Sequence, residues 1–538
     1  MRLRLRTLLA LACAASLSAC SSDSEDPKSD PLPGGGQRPY DGPWTALPES
    51  GNWVDPGALA VCTVRQNAST CGDTASFDMS GCDTGSLAAV ERMGAIYRAE
   101  LRLDAIRLPT WEPGFGPGSG GFQFDASGQL VSVSGMGNPR AQVGPGSFIV
   151  SGAQVRDDGT QELITFAGCR APGPRQLTGC YVRCKNGQIS ARGTFRAERM
   201  TWREGEAEAS GGMRLLSESA VARGFPADVY VAKGHAYVVS LNAPRREGGL
   251  TVFDVSDPAR PVQTASLALT NDSKWNGVWA KDDALYVASA ASGVLVFDIS
   301  NPAQPNLVRS LPGGGGPLNV HTVFVEGSRL YAMSPSPNAE TLLFDLANPL
   351  RPQLLARYAL GGAEAYPHDA FAYEGRLYIN HGTDGFVIAD VSGEQPVALG
   401  RYAYGAFSHA NAVGTFNGRT VAFEGGEGLG AHLRVLDVTD PAAIARIGEF
   451  RLRGVTSMHN LVLVGTRLYI AWYHEGVRVL DVLDPSQPRQ LAHFNTYRET
   501  DPGRDDGLFE GAIGMRVPGD GRVYVVDTSR GLLIFNEP

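Results

Sequence analysis

The stretch HNLVLVGTRLYIAWYHEGVRVLDVLDPSQPRQLAHF, His459 to Phe494, is the clearest copy of a module that the chain repeats. Within it Leu461 to Val464, Arg467 to Tyr473 and Val477 to Val482 are short, rich in β-branched or aromatic residues and bounded by turn residues, which is the pattern of consecutive strands. A fourth such stretch, Arg489 to Phe494, follows the turn Asp484-Pro485-Ser486-Gln487-Pro488. Proline presets φ and has no N–H to offer a ladder, so the two prolines end the third strand and force a tight return. The module is a four-stranded meander.

The end of its third strand recurs as TVFDVSDPARP, LVFDISNPAQP, LLFDLANPLRP, VIADVSGEQP, RVLDVTDPAAI and RVLDVLDPSQP, carrying Asp254, Asp298, Asp345, Asp390, Asp437 and Asp481. The spacings of 44, 47, 45, 47 and 44 residues are those of one four-stranded propeller blade per repeat. A shortened copy, RVYVVDTSRGLLIFN, closes the chain with Asn536 in the Asp position and no fourth strand after it. The missing strand is expected at the other end of the array, where Arg214 to Val221 lines up with Gln353 to Leu360. A ring closed this way leaves no unpaired edge between first and last blades. The expected fold is all-β, a seven-bladed propeller over residues 212–538.

These residues resemble the LVIVD-repeat propellers of bacterial surface proteins, and most closely the group with a choice-of-anchor architecture. The matching positions are His459-Asn460, Trp472-Tyr473, Gly476, Asp481, Pro485 and Pro488, within a resemblance covering about 325 of 538 residues. Ser392-Gly393-Glu394 departs from the pattern by losing the first proline, and Ala443-Ile444 by losing the second. The resemblance implies the fold and a surface location, and it brings no general catalytic residues.

Residues 1–20 combine Arg2, Arg4 and Arg6 with an apolar run from Leu8 to Ala15, an export signal too short to span a bilayer. Leu17-Ser18-Ala19-Cys20 resembles the lipobox of bacterial lipoproteins, which implies a lipid-modified Cys20 and attachment to the membrane. The alternative is an ordinary signal with a chance cysteine. Ser21 after the cysteine implies sorting to an outer membrane. Residues 21–45 are dense in Ser, Asp, Pro and Gly and cannot bury enough surface to fold, so they read as a disordered tether.

Residues 46–205 lack the repeat and hold Cys62, Cys71, Cys82, Cys169, Cys180 and Cys184. An even count in an exported segment predicts three disulfides of undetermined connectivity, with a zinc site as the alternative. Cys180 and Cys184 share a strand face but lie too far apart along it to pair with each other. Alternation at Tyr97, Ala99, Leu101 and Leu103, with turns at Ser127-Gly128, Asp158-Gly159 and Asn186-Gly187, predicts a small antiparallel β domain, a partial barrel.

Removing the signal leaves 44 basic against 56 acidic residues, which argues against nucleic acid as a partner. Nothing matches a phosphate-binding glycine loop or a nucleophile elbow.

All nine histidines follow residue 230, and His321, His368, His409 and His459 each begin the innermost strand of a blade, with Asp228, Asn276 and Glu510 near that place in the other three. The loops carrying His381, His474, Glu475 and Glu427 share that rim, while the D-x-S-D-P turns occupy the opposite one. Each ring histidine either hydrogen-bonds a neighbouring blade or joins others in binding a ligand or a divalent metal such as zinc, copper or nickel. Binding through imidazole is expected to fade below about pH 6.5. The repeated aspartates read as turn-fixing groups rather than calcium ligands. Trp275, Tyr366, Trp472 and Tyr473 suit either a protein or glycan partner at the rim or packing between blades. The sequence favours a lipid-anchored envelope protein whose propeller is a binding module. A metal-dependent enzyme at the channel mouth and a structural spacer are the alternatives.

Overall fold

The computed structural model describes residues 43–65, 71–104, 114–313, 317–359, 365–393 and 395–538. The signal, Cys20 and nearly all of the tether lie outside them. Seven sheets are arranged as blades, each a meander whose strands pair antiparallel in chain order. Blades one to six run Phe225–Leu267, Trp275–Leu311, Thr322–Ala359, Asp369–Tyr402, Ser408–Phe450 and Leu461–Phe494. Blade seven takes three strands from Ala512–Arg516, Arg522–Asp527 and Gly531–Asn536, and its fourth is Leu215–Ser219. Leu215 pairs with Phe535 and Ser219 with Leu532, so the ring closes as the sequence predicts. Asn536 fastens the closure: its Oδ1 accepts from the Arg214 N–H at 2.7 Å and its amide donates to the Gly212 carbonyl at 3.1 Å.

The repeated aspartates take the turn-fixing role. Asp254, Asp298, Asp345, Asp390, Asp437 and Asp481 each accept the backbone N–H two residues on, at 2.9, 2.8, 3.2, 2.8, 3.1 and 2.9 Å. Those turns also join blades, since the Tyr237 and Tyr286 hydroxyls donate to the Pro302 and Pro349 carbonyls of the next blade at 3.1 and 2.7 Å. Apolar side chains of successive blades fill the space between them, as where Val294 and Val296 meet Leu330 and Leu342. One element was not legible: Ala209–Ser210 adds a fifth strand outside blade six, pairing with Phe494 and His493.

Before the propeller lies an eight-stranded antiparallel sheet, curled until its far strands approach, the Ala153 N–H donating to the Gly137 carbonyl at 3.1 Å. Its interior is an aromatic cluster of Tyr97, Phe122, Phe124, Phe148, Phe166 and Phe195. Three disulfides, Cys62–Cys180, Cys71–Cys184 and Cys82–Cys169, staple the strand-poor segment before the sheet onto its outside. Their thiols are thereby occupied and the zinc alternative falls. Cys180 and Cys184 do reach different partners.

The polar face of the strand Ile96–Asp104 is buried as well, against the propeller. Arg98 donates to the Asp506 carbonyl, Asp506 accepts from the Gly135 N–H at 2.8 Å, and Arg199 pairs with Glu499 at 2.8 Å. Residues 495–511, which link blades six and seven, thus seat the sheet on the rim where the sequence gathers histidines. The segment from Trp44 does not join the sheet at first. Trp44 packs against the apolar cluster of blades five and six, and Glu49 pairs with the buried Arg434 at 3.1 Å.

Candidate functional site

Four imidazoles form an arc at the mouth of the propeller axis. Ring centroids are 4.1 Å apart for His321 and His368, 4.2 Å for His368 and His409, and 4.3 Å for His409 and His459. The equivalent place in blade two holds Asn276. In blades one and seven it holds Ala227 and Ile513, which like Asn276 and His409 sit on β-bulges. Asp228 and Glu510 therefore stand off the ring. Asp228 accepts the N–H groups of Val229 and Val278 at 2.8 and 3.2 Å, and Glu510 is held by Arg504 and Thr528 at 3.1 and 2.9 Å.

Each imidazole has two ends, and they do different work. The Nδ1 of His459 meets the Ile513 carbonyl at 2.7 Å and that of His368 meets the His409 carbonyl at 3.3 Å, both in the next blade. A neutral ring that donates from Nδ1 carries its lone pair on Nε2. No described residue hydrogen-bonds Nε2 of His368 or His459. His409 lies with Nε2 3.8 Å from Glu427 Oε1 and Nδ1 without a partner. His321 differs: its Nε2 is engaged by the Asn276 amide at 3.2 Å.

Burial makes the arc a neutral group. It pushes His321 down to about 4, His409 and His459 to about 3, and His368 well below the ordinary value, helped in the last case by its imidazole neighbours. Protonation, expected near about 6.5 for the free imidazole, accordingly moves lower. Glu427, half-buried, accepts from the Tyr473 hydroxyl at 2.7 Å, and desolvation raises it above the usual carboxylate range. Half-exposed Tyr366 and Phe407, with the more exposed Phe509, collar this mouth. Phe407 packs edge-on to His368 at 5.2 Å, and Phe509 lies 5.5 Å from Tyr473.

Beneath the arc is an axial cavity of about 140 Å³ lined by His368, His409, His459, Asp369 and Asn411. Asp369, partly buried beside the cavity, is raised to about 7 by desolvation. A ladder of Tyr230, Trp279, Phe324 and Phe371 flanks the channel, with Arg516 over Trp279 at 4.1 Å. Their spacings of 49, 45 and 47 residues were a signal that sequence reading passed over.

The remaining rim histidines stand elsewhere. His381 is buried with Asp384 beside it at 3.3 Å and neither ring nitrogen hydrogen-bonded among the described residues. His474 is not grouped with the arc: it stacks on Tyr497 at 4.6 Å beneath the N-terminal sheet, and Arg98, Arg453 and Arg504 add to its desolvation in disfavouring a charge. Glu475 is bound to Arg453 and Arg478 at 2.6 and 3.3 Å. Trp275 and Trp472 are wholly buried packing between blades.

A family match to the LVIVD repeat covers residues 224–268 and 274–311, the first two blades. LVIVD repeats are present in this chain. The periodic aspartates and the seven sheets extend the same module around the ring. Among solved structures, the crystal structure of the WD40 beta propeller domain of Doa1 is similar over 61% of this chain and 98% of that one, at 11% identity and a TM-score of 0.46. No curated protein matches the chain.

Proposed function

We propose that this is a lipid-anchored protein of the bacterial cell envelope, held at the outer membrane through Cys20, whose propeller docks a protein or glycan partner on its histidine-bearing rim. One observation carries the docking reading: an aromatic collar of Tyr366, Phe407 and Phe509 surrounds unpaired imidazole nitrogens and a carboxylate, while the axial cavity beneath is only about 140 Å³. Sites for drug-sized ligands run to about 300–1,000 Å³. This cavity admits a small group or one projecting side chain, and the surface around it offers apolar area with polar anchors. The anchor is supported by the Leu17-Ser18-Ala19-Cys20 tetrad and by three disulfides, which belong to an oxidising compartment. The alternative of an enzyme would need an activated nucleophile or water.

Two measurements test this reading. Cys20→Ala should move the protein from the membrane pellet to the soluble fraction, and retention in the pellet overturns the anchor. The mature chain probed on protein and glycan arrays should give signals that Phe509→Ser with Tyr366→Ser abolishes. Signals unchanged by that pair would put the docking surface elsewhere.

A further inference from the structure

The arc contains a charge that nothing balances. Among the described residues no Lys or Arg forms an ion pair with Glu427; its neighbours are the Tyr473 hydroxyl at 2.7 Å and His409 Nε2 at 3.8 Å. Among the described residues, the carboxylates that pair with other histidines each have a cation as well: Asp384 beside His381 has Arg401 at 3.9 Å, Glu449 beside His432 has Arg451 at 3.2 Å, and Glu206 beside His493 has Arg478 at 2.7 Å. A carboxylate taken out of water needs a partner or loses its charge. Here the groups facing it are imidazole nitrogens, which attract no anion but hold metal cations.

The donor set agrees. One ligand atom from each of His368, His409 and Glu427 lies within 4.8 Å of the others. A tetrahedral ion with bonds of about 2 Å holds its donors about 3.3 Å apart, so the site must contract by no more than about 1.5 Å. Glu427, the least enclosed of the three with 19% of its side chain exposed, is the group free to move. At His368 the far side of the site is built in the manner of metal centres, while the Nδ1 of His409 has no partner among the described residues. Ligating histidines donate their second nitrogen to a carbonyl, which fixes the tautomer, and His368 does this toward the His409 carbonyl at 3.3 Å. Tyr473 orients the carboxylate in the same way.

We propose that His368, His409 and Glu427 together bind one divalent transition-metal ion of the zinc class at the mouth of the propeller axis, leaving a coordination position open toward the aromatic collar. Imidazole with carboxylate suits zinc, nickel and copper above calcium or magnesium. His459, its Nε2 free and its ring 4.3 Å from that of His409, borders the open position. His321 is excluded because Asn276 occupies its Nε2. The site goes beyond the docking reading and does not depend on it.

The test uses the full mature protein in detergent, disulfides intact, stripped with a chelator and titrated calorimetrically with Zn²⁺ alone, with bound metal measured by elemental analysis. The wild type should take up one equivalent. Glu427→Gln keeps the shape of the side chain and its bond to Tyr473 but should weaken binding beyond the about 10–100-fold that loss of an outer partner costs, and Tyr473→Phe should fall within that range. His381→Gln, outside the set, should bind as wild type. Absence of a stoichiometric ion in the wild type overturns the proposal, as does unchanged affinity in Glu427→Gln. Should His409→Asn fail to fold, the two substitutions at Glu427 and Tyr473 still decide it.

Discussion

One rim of this propeller carries two clusters built from the same residue types. In the arc, Glu427 faces His368 and His409 and, among the described residues, forms no ion pair with a guanidinium. At the junction with the N-terminal sheet, Glu475 follows His474 and is held by Arg453 at 2.6 Å and Arg478 at 3.3 Å. The arginines decide the difference. They hold Glu475 ionised, below the usual carboxylate range despite full burial, whereas Glu427 is raised. The junction is a closed electrostatic account that fastens two parts of the molecule. The arc is an open one, its carboxylate paired with no Lys or Arg among the described residues. A list of His and Glu on one rim cannot separate the two, because it leaves out the arginines: Arg478 three residues on in the same blade and Arg453, 22 residues upstream in the link before it.

The largest contrast should appear in stability. Arg478 is wholly buried and serves both Glu206 and Glu475. Arg478→Met, which leaves Glu475 to Arg453 and Glu206 to Arg203 alone, should cost about 3 kcal/mol, the lower end for breaking a buried pair, in denaturant unfolding. A loss below about 1 kcal/mol would mean that the junction is not held by its ion pairs.

A smaller effect should separate the clusters by pH. His409 is depressed to about 3, so between its unfolded value near 6.5 and pH 3 the unfolded chain binds more protons and stability falls on acidification. Glu206, lowered to about 2 against the opposing desolvation by its bonds to Arg203 and Arg478, contributes stability that is present above its unfolded value of 4.5 and is lost as pH falls toward 2. Asp369 and Glu510, raised to about 7, act oppositely from pH 7 downward, which is why differences between variants are more telling than absolute curves. The stability gap between wild type and His409→Asn should narrow from pH 6.5 downward. The gap for Glu206→Gln should hold until about pH 4.5 and narrow only below it. Thermal melts across pH check both, and gaps that narrow together would erase the distinction.

Repetition explains how much could be read in advance. Each blade copies Asp before its turn, so one assignment is checked six times along the chain, and the fourth strand missing after Asn536 points to its replacement near Leu215. The histidine arc was legible for the same reason. Asp228 and Glu510, expected near the ring, flank the positions that Ala227 and Ile513 occupy there, and their carboxylates are taken up by backbone N–H groups and by Arg504. The seating of the sheet over His474 rests on pairs such as Arg199 with Glu499, 300 residues apart, which no local pattern announces. Even count and export predicted the disulfides, but their connectivity needed the strand Gln176–Lys185 to be in place.

The smallest expected effect lies at Glu427. Gln there still accepts from the Tyr473 hydroxyl, so Glu427→Gln should change unfolding free energy by about 1 kcal/mol or less, either way. A loss as large as that of Arg478→Met would make Glu427 a structural residue like Glu475.

The division of His368 and His459 into a scaffold end at Nδ1 and a free end at Nε2 is the centre of this account, and ¹⁵N-histidine NMR of the mature protein at neutral pH reads it directly. His368 and His459, assigned by substitution, should be neutral with the proton on Nδ1 and Nε2 bare. A proton on Nε2, or cationic rings, would contradict it.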